Sequence, residues 1–100
     1  MQFIYILTLN KKYHEQQNWT EETNATMSAH FNYLKDLFEQ GVMKHVGRTD
    51  MPFESEDLNG YAIFETESSE SANTIMQNDP AVRDVLMSAK LLPYLIVFQK

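Results

Sequence analysis

The stretch FIYILTL, residues 3–9, decides how this chain folds. It is short, rich in β-branched and aromatic side chains, and followed by polar residues, which is typical of a β-strand that ends in a loop. Its apolar side chains alternate onto both faces: Phe3, Tyr5, Leu7 and Leu9 on one, Ile4 and Ile6 on the other. Strands that are apolar on both faces are covered on both faces. We therefore expect one face of this strand to meet helices and the other to meet a second apolar surface.

The rest of the chain predicts five further elements. A helix follows the N-cap Thr20 and runs to Gln40, where Gly41 ends it, and a shorter helix follows Ser68 or Ser69 and runs through Gln77. Strands are predicted at 42–49, 61–66 and 91–98. This βαββαβ order is typical of the ferredoxin-like α+β fold, an antiparallel four-stranded sheet with two helices on one face. The second strand is expected to place Val42, Lys44, Val46 and Arg48 on one face and Met43, His45 and Gly47 on the other.

Composition narrows the class of protein. One hundred residues with 43% hydrophobic and 22% charged content predict a single globular domain over residues 1–100. The net charge of −6 and the scattered basic residues argue against nucleic acid as a partner. Cysteine is absent, and the opening apolar run is too short to span a bilayer and lacks the flanks of a signal peptide. We therefore expect a cytoplasmic protein with no membrane partner.

Two polar residues stand where the helical pattern calls for hydrophobic ones. His30 falls within the apolar spacing of the first helix, and Asp79 continues the spacing of the second. Facing inward together, they would supply a pair for general acid/base catalysis. The alternative for His30 is a histidine at the edge of the core. The alternative for Asp79 is an N-cap before Pro80, accepting hydrogen bonds from the N–H groups of Val82 or Arg83.

Other polar side chains are candidates for binding a ligand. Arg48 could hold an anionic group by paired hydrogen bonds, or it could be a surface arginine among acidic neighbours. Four tyrosines could line a pocket for a small cyclic ligand or belong to the core or an interface, and Tyr33 is taken with Arg48 as ligand-binding: Tyr5, Tyr33, Tyr61 and Tyr94. The three histidines match no spacing of metal ligands, so neither a metal nor another cofactor is expected.

Several short pieces follow one another in a definite order and spacing: HFNYLKDL at 30–37, EQG at 39–41, Gly47, GYAIFE at 60–65 and NDPAV at 78–82. Together they resemble the YCII-related (YciI-like) family over nearly the whole chain. The resemblance implies a ferredoxin-like dimer with a pocket between sheet and helices, lined by His30 and Asp79. The sequence departs from the commonest pattern in Arg48, where many relatives have proline, and in its acidic loop at 54–57.

Two functions are compatible with these residues. The first is an enzyme that acts on a small molecule by an isomerase- or lyase-type proton transfer, with His30 as acid or base and Asp79 orienting it. The second is a module that binds a small molecule or a partner in the same pocket without chemistry. In either case the apolar outer face of the sheet predicts a homodimer packed sheet to sheet.

Overall fold

The computed structural model describes all 100 residues and contains four strands, β1 (Gln2–Leu9), β2 (Met43–Arg48), β3 (Asn59–Glu65) and β4 (Met87–Pro93). They form one antiparallel sheet in the order β2-β3-β1-β4. The helices are α1 (Glu21–Glu39), α2 (Ser69–Gln77) and the one-turn α3 (Pro80–Arg83). Two short 3-10 turns, Lys11–His14 and Gln16–Asn18, lie in the predicted polar loop. The ferredoxin-like α+β fold is confirmed, with α3 as an addition between α2 and β4.

The helix ends are where the sequence predicts them. The Thr20 side chain accepts a hydrogen bond from the Thr23 N–H and so caps α1. Gly41 follows the end of α1 with φ of 80°, in the left-handed region that a side chain disfavours. Ser68 caps α2 in the same way, through the N–H of Ser71.

The helices cover the sheet face that carries the odd-numbered residues of β1. Phe3, Tyr5 and Leu7 are buried there, and they pack with buried side chains of β2, β3 and both longer helices: Met43, Ala62, Phe64, Leu34, Ala72 and Met76. We call the other side the open face. It carries Ile4 and Ile6, paired across β1 and β3 with Ile63 and Tyr61.

The fourth strand differs from the prediction. The sequence predicts residues 91–98, but β4 is Met87–Pro93, paired with β1 from Leu9↔Met87 to Phe3↔Pro93. Tertiary pairing overrides the local pattern here, because a strand ends where its partner ends and β1 begins at Gln2. Pro93 consequently lies at the end of this edge strand, not near its start, and a missing N–H costs little there.

The second strand also departs from simple alternation. A bulge between Met43 and His45 shifts its register against β3, so Met43 joins the buried face and His45 the open face. The prediction that Met43 and His45 share a face is therefore wrong, because a bulge inserts one residue without a partner. The shift places Val46 and Arg48 opposite Ala62 and Gly60, on the helix-covered face.

Candidate active site

His30 and Asp79 meet inside the protein. His30 lies on α1 and Asp79 directly before α3, and Nδ1 of His30 is 2.6 Å from Oδ1 of Asp79. Asp79 is 0% exposed and His30 is 7% exposed. An ionised carboxylate only accepts hydrogen bonds, so Nδ1 is the donor and carries the ring proton. The structure thus brings together the two residues that the sequence singles out.

Asp79 is a helix cap as well as the partner of His30. Its Oδ1 also accepts a hydrogen bond from the N–H of Ala81 at 3.0 Å. The sequence predicts that the side chain would cap Val82 or Arg83. Those two N–H groups bond to the backbone carbonyl of Asp79 instead. The cap and the histidine partner are therefore not alternatives, because the carboxylate serves both.

Tyr5 supplies a third donor to the same carboxylate. Its hydroxyl, on a fully buried residue of β1, donates to Oδ2 of Asp79 at 2.9 Å. Three donors from three elements therefore hold Asp79, and none of the buried polar side-chain atoms lacks a partner. The sequence pattern places Tyr5 on a buried strand face but does not identify this partner. The one signal in the sequence is that a buried tyrosine usually needs an acceptor for its hydroxyl.

His30 also lines a cavity of about 670 Å³ between α1, the sheet and two loops. Asp79 occupies Nδ1, and His30 makes no other hydrogen bond, so Nε2 is the nitrogen left for a ligand. Most of the lining is apolar, and the aromatic members are Trp19, Phe31, Phe53 and Tyr61. A neutral imidazole with Nδ1 protonated presents a lone pair at Nε2, which is the form that accepts a proton.

Arg48 lies at the same cavity, at the end of β2. Its one hydrogen bond goes to the backbone carbonyl of Met51 at 3.4 Å, and no carboxylate forms a salt bridge with it. The cavity therefore combines an apolar, aromatic wall with one unpaired cation. Such a site suits a flat ligand that carries an anionic oxygen.

Two loops complete the cavity with side chains that the sequence does not single out. Trp19 donates from Nε1 to the carbonyl of Tyr13 at 2.7 Å, which fixes the indole. Its ring meets Phe53 edge to face with 5.9 Å between centroids. The only tryptophan of the chain, in an otherwise polar loop, was the available signal.

Tyr33 lies elsewhere. Its hydroxyl donates to the carbonyl of Ile75 at 2.6 Å, and Tyr33 is not among the residues that line the cavity. It packs against the core and joins α1 to α2. The structure therefore does not bring Tyr33 together with His30 and Arg48 at the cavity.

The site raises the pKa of both tyrosines near Asp79. Burial, followed by the charge of Asp79, raises the pKa of Tyr33 from 10.0 to about 12. The same causes, with the hydrogen bond to Asp79, raise the pKa of Tyr5 further. A neutral phenol is therefore favoured at both positions in the folded protein.

These shifts predict alkaline destabilisation. A folded pKa above the unfolded pKa contributes stability that is complete below pH 10 and is lost as the pH rises from about 10 towards 12. We expect the urea midpoint to fall over this range, and to fall less steeply in Tyr33→Phe, which also loses the bond to Ile75 at every pH. Equal slopes for the two proteins would contradict this assignment.

No three histidine, aspartate or glutamate side chains come close enough together to hold a metal ion. None of the helices has the length and apolar character needed to cross a bilayer. The expectation of a site without metal or cofactor stays a prediction.

Comparison with known proteins identifies the family of this chain. No curated protein matches the sequence significantly. A solved structure with the same fold is 5-chloro-2-hydroxyhydroquinone dehydrochlorinase (TftG) from Burkholderia phenoliruptrix AC1100, in complex with 2,5-dihydroxybenzoquinone. The TM-score is 0.69 and the identity 17%, over 95% of this chain and 94% of that chain. The YCII-related domain model matches residues 2–92, and the chain therefore belongs to the YCII-related family.

Proposed function

We propose that this protein is an enzyme that transfers a proton on a small molecule, with His30 and Asp79 as its acid/base pair. The observation that carries the proposal is the 2.6 Å contact between Nδ1 of His30 and Oδ1 of Asp79 at the wall of a large cavity. Helix capping accounts for the aspartate at position 79, but not for the histidine beside it. It does not explain why a histidine shares that carboxylate and leaves Nε2 for the cavity.

The reaction type that fits best is a lyase-type elimination, with isomerisation as its close relative. Nε2 of His30 takes a proton from the substrate, and the electron pair of the broken bond forms a new double bond. The leaving group then departs with its bonding electrons as an anion. Asp79 stabilises the imidazolium that results and keeps the ring oriented. The dehydrochlorinase with the same fold supports this class, because loss of HCl is an elimination.

The ligand that fits the cavity is a planar cyclic molecule with an anionic oxygen. The aromatic walls favour stacking on a ring, and Arg48 lies where it can bind the negative charge. A hydroxyquinone has both features, and the fold relative was solved with one. In an elimination Arg48 would also stabilise charge that develops on this oxygen.

A titration with 2,5-dihydroxybenzoquinone tests the proposed ligand class. Trp19 is the only tryptophan and lines the cavity, so its fluorescence should change when the probe binds. Arg48→Gln should weaken binding about tenfold or more, because a charged hydrogen bond is worth roughly 1.5–3 kcal/mol. The matched control is Arg83→Gln, which removes the only other arginine, an exposed one paired with Asp84. Equal affinities for the two variants would overturn the role of Arg48.

The second candidate function is binding without chemistry, and one observation favours it. Tyr5 and Ala81 already satisfy the carboxylate together with His30, so the whole network also serves to stabilise the fold. A module of this kind would bind the probe as the enzyme does. The two functions differ in whether His30 moves a proton, which binding measurements do not detect.

We further propose that the protein is a cytoplasmic homodimer packed through the open face. Ile6 and Ile63 are half-buried there, beside the buried Ile4, and no helix of the same chain covers this apolar row. Ile6→Lys should give a folded monomer by light scattering, because a buried lysine in the interface has no partner. Tyr5→Lys, on the covered face, should unfold the domain. Phe38→Lys, at an exposed position of α1, should change neither the folded state nor the mass. An unchanged mass for Ile6→Lys would contradict this interface.

A further inference from the structure

The C-terminal segment, residues 94–100, leaves the sheet with most of its apolar side chains in solvent. Leu95, Val97 and Phe98 are 79%, 72% and 94% exposed, while Tyr94 still bonds through its N–H to the Gln2 carbonyl. The pattern is that of a strand, and for that reason the sequence predicts one through residue 98. Ile96 is half-buried and donates its N–H to the Gln2 side chain, whereas Leu95, Val97 and Phe98 stay in solvent and therefore point to a partner.

The open face has a groove of about 510 Å³ at the place where this segment starts. Ile4 and Ile63, which pair with each other across β1 and β3, line it, and His45 extends the row onto β2. Tyr94 forms another part of its wall. The groove therefore crosses three strands, its wall combines apolar and polar side chains, and the first residue of the C-terminal segment lies beside it.

We propose that the C-terminal segment of a second copy lies in this groove, a proposal that rests on the homodimer proposed above. In a dimer with two-fold symmetry the same patch meets itself. Because Tyr94 borders the groove, a two-fold axis through the groove brings the Tyr94 of the second copy to the opposite side. The four residues that follow extend about 13 Å as a strand, which is enough to cross neighbouring strands. Each chain then supplies one segment and one groove.

The location of the groove links this contact to the candidate active site. Arg48 and Tyr61 line both the groove and the 670 Å³ cavity of His30, where the end of β2 separates the two spaces. A segment seated in the groove would therefore pack against the residues that hold the ligand. The partner would restrict Arg48 and close the cavity on this side, so the complete site would need two chains.

Cross-linking between differently marked chains tests the proposal. The protein has no cysteine, so every disulfide comes from an introduced pair. A tagged chain with Phe98→Cys, mixed with an untagged chain with Ile63→Cys and oxidised mildly, should give a covalent heterodimer in high yield. The matched control is Phe38→Cys with Ile63→Cys, because Phe38 is also exposed but lies on α1, beyond the opposite face of the sheet. This pair should give no more than background.

Shortening the chain after Tyr94 provides the second measurement. Loss of the exposed apolar residues should raise the dimer dissociation constant about tenfold or more, and it should weaken binding of 2,5-dihydroxybenzoquinone. A stable dimer whose Phe98/Ile63 cross-link equals the control would overturn the segment's placement and leave the homodimer standing. Monomers of the full chain would overturn both. An intrachain disulfide in a monomeric double variant would show instead that the segment folds onto its own chain.

Discussion

Asp79→Ala is expected to lower the free energy of unfolding by about 3–5 kcal/mol, because removing one member of a buried hydrogen-bonded pair leaves the other buried without a partner. The substitution leaves the Tyr5 hydroxyl and Nδ1 of His30 without their acceptor and uncaps the N–H of Ala81. Urea unfolding at neutral pH, followed by circular dichroism, measures the change.

Two control variants distinguish the loss of stability caused by the missing hydrogen bonds from any loss caused by removing a negative charge. Asp79→Asn keeps the shape and one acceptor oxygen, so we expect it to be less destabilising than Asp79→Ala. Asp84→Ala removes an exposed aspartate only five residues away, and it should cost less than about 1 kcal/mol. A loss below about 1 kcal/mol for Asp79→Ala would mean that the three hydrogen bonds do not organise the core.

His30→Gln should reduce turnover by about a hundredfold or more, because a positioned acid or base typically contributes 10²–10⁴-fold. Glutamine keeps a polar side chain but has no nitrogen that can accept and release a proton near neutral pH. The probe should still bind, because Arg48 and the aromatic walls are unchanged. His14→Gln, in the 3-10 turn Lys11–His14, is the matched control and should keep full activity.

The kinetic pattern in His30→Gln distinguishes a role in chemistry from a role in binding. Loss of kcat with little change in KM indicates an interaction made in the transition state. Loss of affinity with an unchanged kcat would instead assign His30 to ligand binding. That result would favour the binding module over the enzyme.

Local patterns in the sequence predict much of the framework. Thr20 and Gly41 mark the ends of α1 because capping and left-handed backbone depend on single residues. The apolar run at residues 3–9 predicts the strand β1, which the structure contains. The misfit of His30 and Asp79 in apolar stripes predicts a buried polar pair, which the structure contains.

The remaining features depend on pairing between distant segments. The end of β4 follows from its register with β1, and the bulge in β2 follows from its register with β3. The bond from Tyr5 to Asp79 spans 74 positions in the chain, and no periodicity carries that information. Trp19 and Phe53 meet only because two loops converge on the same cavity.

Exchange of carbon-bound hydrogen for deuterium in D₂O tests most directly whether the His30–Asp79 pair moves protons. The hydroxyquinone probe carries ring hydrogens, and proton NMR follows their replacement with no need to know the natural substrate. We expect the wild-type protein to accelerate this exchange well above the rate in buffer, and His30→Gln and Asp79→Asn to bind the probe without accelerating it. Binding of the probe by the wild type with exchange at the buffer rate would contradict the enzyme and leave a binding module.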